Sequence, residues 1–422
     1  MGILRPTKEL MNNIYHFAKF PQTGVSLRQM VKFGQKPTQG TMLKSSQFLA
    51  EELPIRLARR VVELDNLPNK LSEMPSVIKV KNWYIESFKE LIEFPHPKLS
   101  RELRHRIKSA SNSSETMTFP SSHPNPSANI VNNGQYHKVP LNHRFYTPVD
   151  DIDLPSEIID FNRAFVRCLE TIKRRHDPVV TTLAQGINEF KAFHRAKMID
   201  TDVQSFLDRF YMSRIGIRVL IGQQIALVTN QDSDYVGIIC TKTRLHDVAQ
   251  DAIANASFIC EDYYGLFSAP KITLHCRKDL EFMYVPSHLH HMLFELLKNS
   301  LRATVELYGD DADSYPPIKV VVAEGQEDIT IKVSDEGGGI TRSALPMVWT
   351  YMYTTAEAQP LDPDFNQTDF KAPMAGFGYG LPISRCYARY FGGDLKLISM
   401  ENFGTDAYLH LCRLSDSAEP LP

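Results

Sequence analysis

A chain of 422 residues with 43% hydrophobic and 23% charged side chains can fill a core of ordinary size in each of two domains. A formal net charge of −2 gives no global basic footprint for nucleic acid, and no apolar run approaches the roughly 18 residues of a membrane span. Cys168, Cys240, Cys260, Cys276, Cys386 and Cys412 form no C-x-x-C pair and no ligand cluster, so they read as buried thiols of a reducing compartment.

The first fifty residues carry one acidic side chain, Glu9, against seven Lys/Arg. That fits a mitochondrial targeting region, and equally a basic amphipathic first helix of the mature protein. There is no secretory signal, and Met1-Gly2 without Ser or Thr at position 6 gives no support for myristoylation. Apolar residues at helical spacing predict helices over Gln47–Leu67, Val77–Phe94, Ser156–Arg175, Pro178–Lys197 and Asp202 to about Val228. Long helices with short connectors predict a bundle over residues 1–230. Ser109 to Pro140, rich in Ser, Asn and Pro, reads as a disordered or extended insertion near 109–140 and a poor candidate for a packed element.

From 231 to 422 the pattern changes to a sheet layered with helices. Short strands are expected at Lys271–Cys276, Glu281–Val285, Ile318–Ala323 and Asp328–Ser334, then a hairpin from Asp394–Met400 and Thr405–Leu414. Between them Ser287–Tyr308 reads as an amphipathic helix with Ser287 as its N-cap. At ~100° per residue, His291, Glu295, Asn299 and Arg302 share one polar stripe opposite a broad apolar face. His288, His290 and His291 lack the spaced partners of a zinc site.

Two glycine motifs follow. Strand Asp328–Ser334 runs into Asp335-Glu-Gly-Gly-Gly-Ile. This is either a tight turn or a nucleotide pocket, in which Asp335 accepts from an exocyclic amine while Gly337 and Gly339 admit a flat base. Gly376-Phe-Gly-Tyr-Gly-Leu-Pro then opens a helix running to about Phe391, placing backbone N–H groups at a helix N-terminus where anions bind. It is neither a P-loop nor a dinucleotide fingerprint. Between the motifs lies a lid-sized segment, Thr341 to Ala375, with Thr354-Thr355.

This order of motifs resembles the ATPase/kinase superfamily of gyrase, heat-shock chaperones, mismatch-repair ATPases and histidine kinases. More specifically, HHMLFELLKNSLRATVE, YMYTTAEA and AGFGYGLPISRCYARYFGGDL are similar to the mitochondrial pyruvate dehydrogenase kinases and branched-chain 2-oxoacid dehydrogenase kinases. So are GVSLRQMVKFG, FLAEELPIRLARRV and FLDRFYMSRIGIR, and the resemblance spans nearly the whole chain. It implies an α + α/β fold: an N-terminal four-helix bundle followed by a Bergerat-type, histidine-kinase-like ATPase α/β sandwich with a mixed sheet. It implies a mitochondrial matrix protein kinase using ATP and Mg²⁺, with K⁺ as a further candidate ion. The expected targets are serines of the alpha subunit of a dehydrogenase decarboxylase component, and the other expected partners are the lipoyl domain of the acyltransferase core and a second copy of the chain.

Carried over residue by residue, the resemblance makes Glu295 the general base with His291 as its partner, and Asn299 the Mg²⁺ ligand. Asp335 would hold adenine beside Gly337 and Gly339. Thr354 and Thr355 would flank the nucleotide, Gly376, Phe377, Gly378, Tyr379, Gly380 and Leu381 would wrap the phosphates, and Lys298 and Arg302 would supply positive charge. Two departures stand out: Glu336 occupies a position where the family commonly has Arg, and the chain lacks the long Asp-Trp tail of the animal enzymes. The N-terminal half leans to the pyruvate enzyme, and YVGIICT at Tyr235–Thr241 to the branched-chain enzyme. The expected target is therefore pyruvate dehydrogenase, as in fungal-type kinases, with the branched-chain complex as the alternative. An ATPase clamp without kinase activity would need a transducer domain, yet few residues follow the last glycine motif.

Overall fold

The structure is a computed structural model, and it describes residues 6–111, 119–124, 143–194, 200–229, 232–310, 312–355, 374 and 378–421. The chain divides into two compact units: Met1–Ala196 with Gly216–Ile238, and Lys197–Ile215 with Ile239–Pro420.

The first unit is helical. It contains α1 (Lys8–Phe17), α2 (Leu27–Gly34), α3 (Gln39–Asp65), α4 (Pro75–Ile92), α5 (Arg101–Ser109), strands β1 (Phe119–Pro124) and β2 (His143–Tyr146), α6 (Ser156–Arg175) and α7 (Val179–His194). The second half of α8 (Thr201–Thr229) and the short strand β3 (Tyr235–Val236) complete it. Helix α3 starts eight residues before the apolar periodicity does, because the Thr38 hydroxyl caps it by accepting from Thr41 N–H. α3 packs on α4 and α6, and α4 on α7, around Leu53, Leu57, Val61, Val80, Phe88, Phe165 and Ile187.

Within the insertion, expected to be disordered or extended and to lack a packed element, one stretch is an extended strand that does pack: β1 pairs antiparallel with β2. Phe119 stacks on Phe48, with ring centroids 4.8 Å apart. Ser121 donates to Glu51 at 2.6 Å, and Ser122 to the fully buried Glu52. Polar serines here satisfy one buried and one half-buried carboxylate of α3, a pairing that composition cannot signal. His176 is buried; its ring stacks on Tyr84 and it shares a hydrogen bond with Ser87 at 3.0 Å.

The second unit holds the first half of α8, then β4 (Ile239–Arg244), α9 (Leu245–Tyr264), β5 (Ile272–His275), β6 (Glu281–Tyr284) and α10 (Pro286–Tyr308). Then come β7 (Ile318–Glu324), β8 (Asp328–Asp335), α11 (Gly380–Tyr390), β9 (Asp394–Met400) and β10 (Gly404–Cys412). Five strands form a mixed sheet in the order β5-β7-β8-β10-β9, parallel only between β5 and β7. Strand alternation along β8 buries Ile329, Ile331, Val333 and Asp335 on one face, and α10 packs against that strand. Helix α9, which beds beside α10, escaped the periodicity reading because its inner face is built largely from small residues, Ala249, Ala252 and Ala256. Ser287 does not cap α10. Pro286 takes the first helical turn, where its missing N–H costs nothing, and Val285 stands at the cap with no side-chain bond. Cys240, Cys260 and Cys386 are buried, Cys168, Cys276 and Cys412 partly so, and all six are free thiols. Among the described residues no helix is long and apolar enough to cross a membrane.

Candidate active site

A cavity of about 690 Å³ lies within the second unit, between α10, the end of β8, the Tyr353–Thr355 segment and the start of α11. Of the residues picked out from the sequence, Glu295, Lys298, Asn299, Arg302, Asp335, Gly337, Gly339, Thr354, Thr355, Gly378, Gly380 and Leu381 line it. Positions i, i+4 and i+7 of α10 bring Glu295, Asn299 and Arg302 to one wall, while the buried Leu289, Leu293 and Leu297 anchor the other side of the helix. Gly376 and Phe377 lie outside the described residues. Tyr379 and His291 do not line the cavity: Tyr379 is buried between Tyr211 and Tyr351, and the His291 ring meets Tyr387 edge-on at 5.2 Å. Glu336 is also absent from the lining.

The hydrogen-bond partner of Glu295 is Lys298. Lys298 Nζ donates to Glu295 Oε1 at 2.9 Å, with side-chain exposures of 3% and 11%. His291 Nε2 is buried without a hydrogen bond. Burial lowers the His291 pKa, against the pull of the Glu295 carboxylate. Burial by itself would raise Glu295, but the charge and hydrogen bond of Lys298 together with the neighbouring His291 outweigh it and hold the carboxyl below the usual range. Lys298 is the counter-ion that also hydrogen-bonds the carboxylate. The other carboxylate oxygen lies against Gly380, where an added methyl would collide with Glu295 Oε2. The carboxylate of α10 and the first residue of α11 therefore pack together only because position 380 has no side chain.

Asp335 is the most elaborately held group. Ser300 Oγ donates to Oδ2 at 2.8 Å, and the N–H groups of Gly337 and Thr405 donate to Oδ1 at 3.1 and 3.3 Å. Burial nonetheless pushes its pKa up. Thr405 stands directly across the β8–β10 ladder from Asp335, and Ser300 is one place beyond Asn299; neither is marked by any motif. Gly339 has φ 69°, and a methyl there would strike the Met400 carbonyl, so the turn after Asp335 requires glycine on both counts. Arg302 Nη2 donates to Thr355 Oγ1 at 2.9 Å, and its Nε is 3.5 Å from Glu306.

The donor set suits an adenine nucleotide with a hard cation. Asp335 is a fixed, buried acceptor beside a glycine floor, Asn299 offers a neutral amide oxygen, and Lys298 and Arg302 supply positive charge. A mixed sheet covered by helices, with this cavity against it, is the architecture of an ATP-binding domain. The family model described as histidine kinase-, DNA gyrase B- and HSP90-like ATPase matches residues 284–414. A second model, mitochondrial branched-chain alpha-ketoacid dehydrogenase kinase, matches residues 24–240. The chain is 48% identical to a mitochondrial pyruvate dehydrogenase (acetyl-transferring) kinase of Schizosaccharomyces pombe, over 98% of this chain and 99% of the relative. It is 44% identical to the Arabidopsis thaliana kinase of the same description, over 98% and 97%, and 37% identical to human isozyme 3, over 97% and 87%. The chain belongs to the mitochondrial pyruvate dehydrogenase kinase family.

Proposed function

We propose that this protein is an ATP-dependent protein-serine kinase that phosphorylates the alpha subunit of the pyruvate dehydrogenase decarboxylase component and thereby switches the complex off. The observation that carries this reading is one cavity in which Glu295, Asn299, Asp335 and the glycines of two separated motifs meet, in a chain aligned almost end to end with kinases of that description.

In this reading Asp335, fixed by Ser300, Gly337 and Thr405, accepts from the adenine amine, and Gly337 and Gly339 let the base lie against the backbone. Asn299 is the protein ligand of Mg²⁺, which when bound offsets the phosphate charge. The segment Gly376–Leu381, with Arg302, Thr354 and Thr355, surrounds the phosphates. Glu295 orients the substrate serine and takes its proton, an effect of about 10²–10⁴ in rate. Lys298 keeps that carboxyl ionised and aimed, and His291, one turn before Glu295, is the partner that tunes its charge. K⁺ is proposed as a further ion.

We assign residues 1–230 to a helical domain that engages the lipoyl domain of the acyltransferase core and 231–422 to the kinase domain, in a homodimer. Like its mitochondrial relatives the protein is placed in mitochondria, and we propose the matrix as its compartment. The test offers purified pyruvate and branched-chain decarboxylase components separately with labelled ATP, and maps the phosphoserine. Labelling of the pyruvate component's alpha subunit is expected; labelling of the branched-chain component alone would overturn the choice of substrate.

A further inference from the structure

One wall of the cavity is supported from outside the motifs. Tyr353, Thr354 and Thr355 line it, as do Gly378 and Gly380. These two stretches are joined, since the Met352 N–H donates to the Gly378 carbonyl at 3.2 Å. Met352 holds a left-handed backbone, φ 65°, which costs a non-glycine residue about 1 kcal/mol or more and persists only where its neighbours over-determine it.

The residue before it is what α8 grips. The Tyr351 N–H donates to Gln204 Oε1 at 2.8 Å, and the Tyr351 carbonyl accepts from Gln204 Nε2 at 3.2 Å. A single amide side chain thus satisfies both backbone groups of one residue, as a neighbouring strand would. One turn further along α8, Asp208 Oδ1 accepts from the Tyr351 phenol at 2.7 Å. The Tyr351 ring, 2% exposed, lies 5.2 Å from Tyr211 and 5.4 Å from Tyr379, the residue before Gly380. Its phenol oxygen is 3.6 Å from Cys386 of α11, whose thiol burial pushes up to about 12 and so keeps uncharged. Neither Gln204 nor Asp208 lines the cavity. Asp208 is exposed and Gln204 half-buried, positions at which a helix by itself accepts almost any polar residue.

We propose that Gln204 and Asp208 are positioning residues for nucleotide binding: through Tyr351 they fix Tyr353–Thr355 and Gly378 against the nucleotide without touching it. This rests on the nucleotide reading of the cavity.

The test measures binding of ADP with Mg²⁺ to the full chain by titration calorimetry, together with KM for ATP and kcat. Asp208→Ala and Tyr351→Phe each remove the same hydrogen bond, so each weakens ADP binding by about fivefold. The double variant is no weaker than either single, as expected of one shared contact. Asp208→Asn keeps an acceptor oxygen and stays within about twofold of the parent. Gln204→Ala, which orphans two backbone groups, loses about tenfold or more. KM for ATP rises while kcat at saturating ATP changes less than about twofold. Additive losses in the double variant, unchanged ADP affinity in Asp208→Ala, or a fall in kcat at constant KM would overturn the assignment. Tyr351→Phe and Asp208→Asn retain packing and carry the test if an alanine variant does not fold. Asp335→Asn separates the two levels. A parent chain that binds ADP and an Asp335→Asn chain that does not uphold the nucleotide cavity whatever α8 does; no ADP binding by the parent overturns both.

Discussion

The Lys298–Glu295 pair makes the sharpest claim about stability. At 2.9 Å, with an effective dielectric of 20, the two charges attract by about 6 kcal/mol before desolvation is subtracted. The ammonium also lies 5.3 Å from the Phe294 ring centroid, so almost nothing in its surroundings substitutes for water except Glu295 and that ring. Lys298→Met preserves the stem and removes the charge, leaving a buried carboxylate with no counter-ion. The expected loss is about 3–5 kcal/mol, because breaking one side of a buried pair strands the other. For a unit of this size that is a fall in Tm of roughly 6–20 °C. Glu295→Gln/Lys298→Met removes both charges and should recover most of the loss, although it abolishes any base at position 295. Calorimetry and urea unfolding of the nucleotide-free chain measure all three states. A Lys298→Met chain as stable as its parent, or a double variant as unstable as that single one, would refute the claim that the pair is a mutual charge requirement.

Phosphoryl transfer depends chiefly on positioning and metal electrostatics, so Asn299→Ala should damage turnover at least as much as Glu295→Gln; single-turnover and ATP-binding assays on both decide it, and near-normal turnover for Asn299→Ala would sink the Mg²⁺ assignment. Gly339→Ala forces a side chain onto φ 69° and into the Met400 carbonyl, and should cost about 3 kcal/mol or more in urea unfolding; a parent-like midpoint would contradict the turn geometry. Asp335 has its pKa raised on folding, so its contribution to stability is fully present below the unfolded value and is lost as pH rises through the folded one. The stability difference between parent and Asp335→Asn should therefore move against the parent above about pH 4, which a urea series across pH would read; a difference moving in the parent's favour would mean the shift has the opposite sign.

What could be read from the sequence was what repeats or punctuates. The apolar periodicity of Ser156–Arg175 and the alternation of Ile329, Ile331 and Val333 placed α6 and β8 to within a residue. The same alternation explains why Asp335 faces inward: it is the next member of the buried set, so a carboxylate is carried into the core by strand geometry. At Gly339 and Gly380 the missing side chain leaves room for the Met400 carbonyl and the Glu295 carboxylate. What could not be read was pairing across long separations. Ser121 and Ser122 look like loop residues until Glu51 and Glu52 of α3 are set beside them. Gln204 and Asp208 sit among ordinary helical polar residues and gain meaning only through Tyr351, more than 140 positions away.

The partner of Glu295 shows where local reasoning ran short. On the wheel His291 precedes it by four and Lys298 follows it by three, so both are neighbours on the same surface. Spacing does not discriminate between them; burial does. A histidine can enter the interior by giving up its proton, and burial shifts His291 in that direction. A lysine has a far higher pKa to surrender, so it is buried as an ammonium only beside an anion. Once packing leaves Lys298 3% exposed, it claims the nearest carboxylate, and that is Glu295. The polar stripe of α10 is thus three residues that face the cavity, Glu295, Asn299 and Arg302, and one, His291, that turns to Tyr387, with a lysine from the adjoining face supplying the charge.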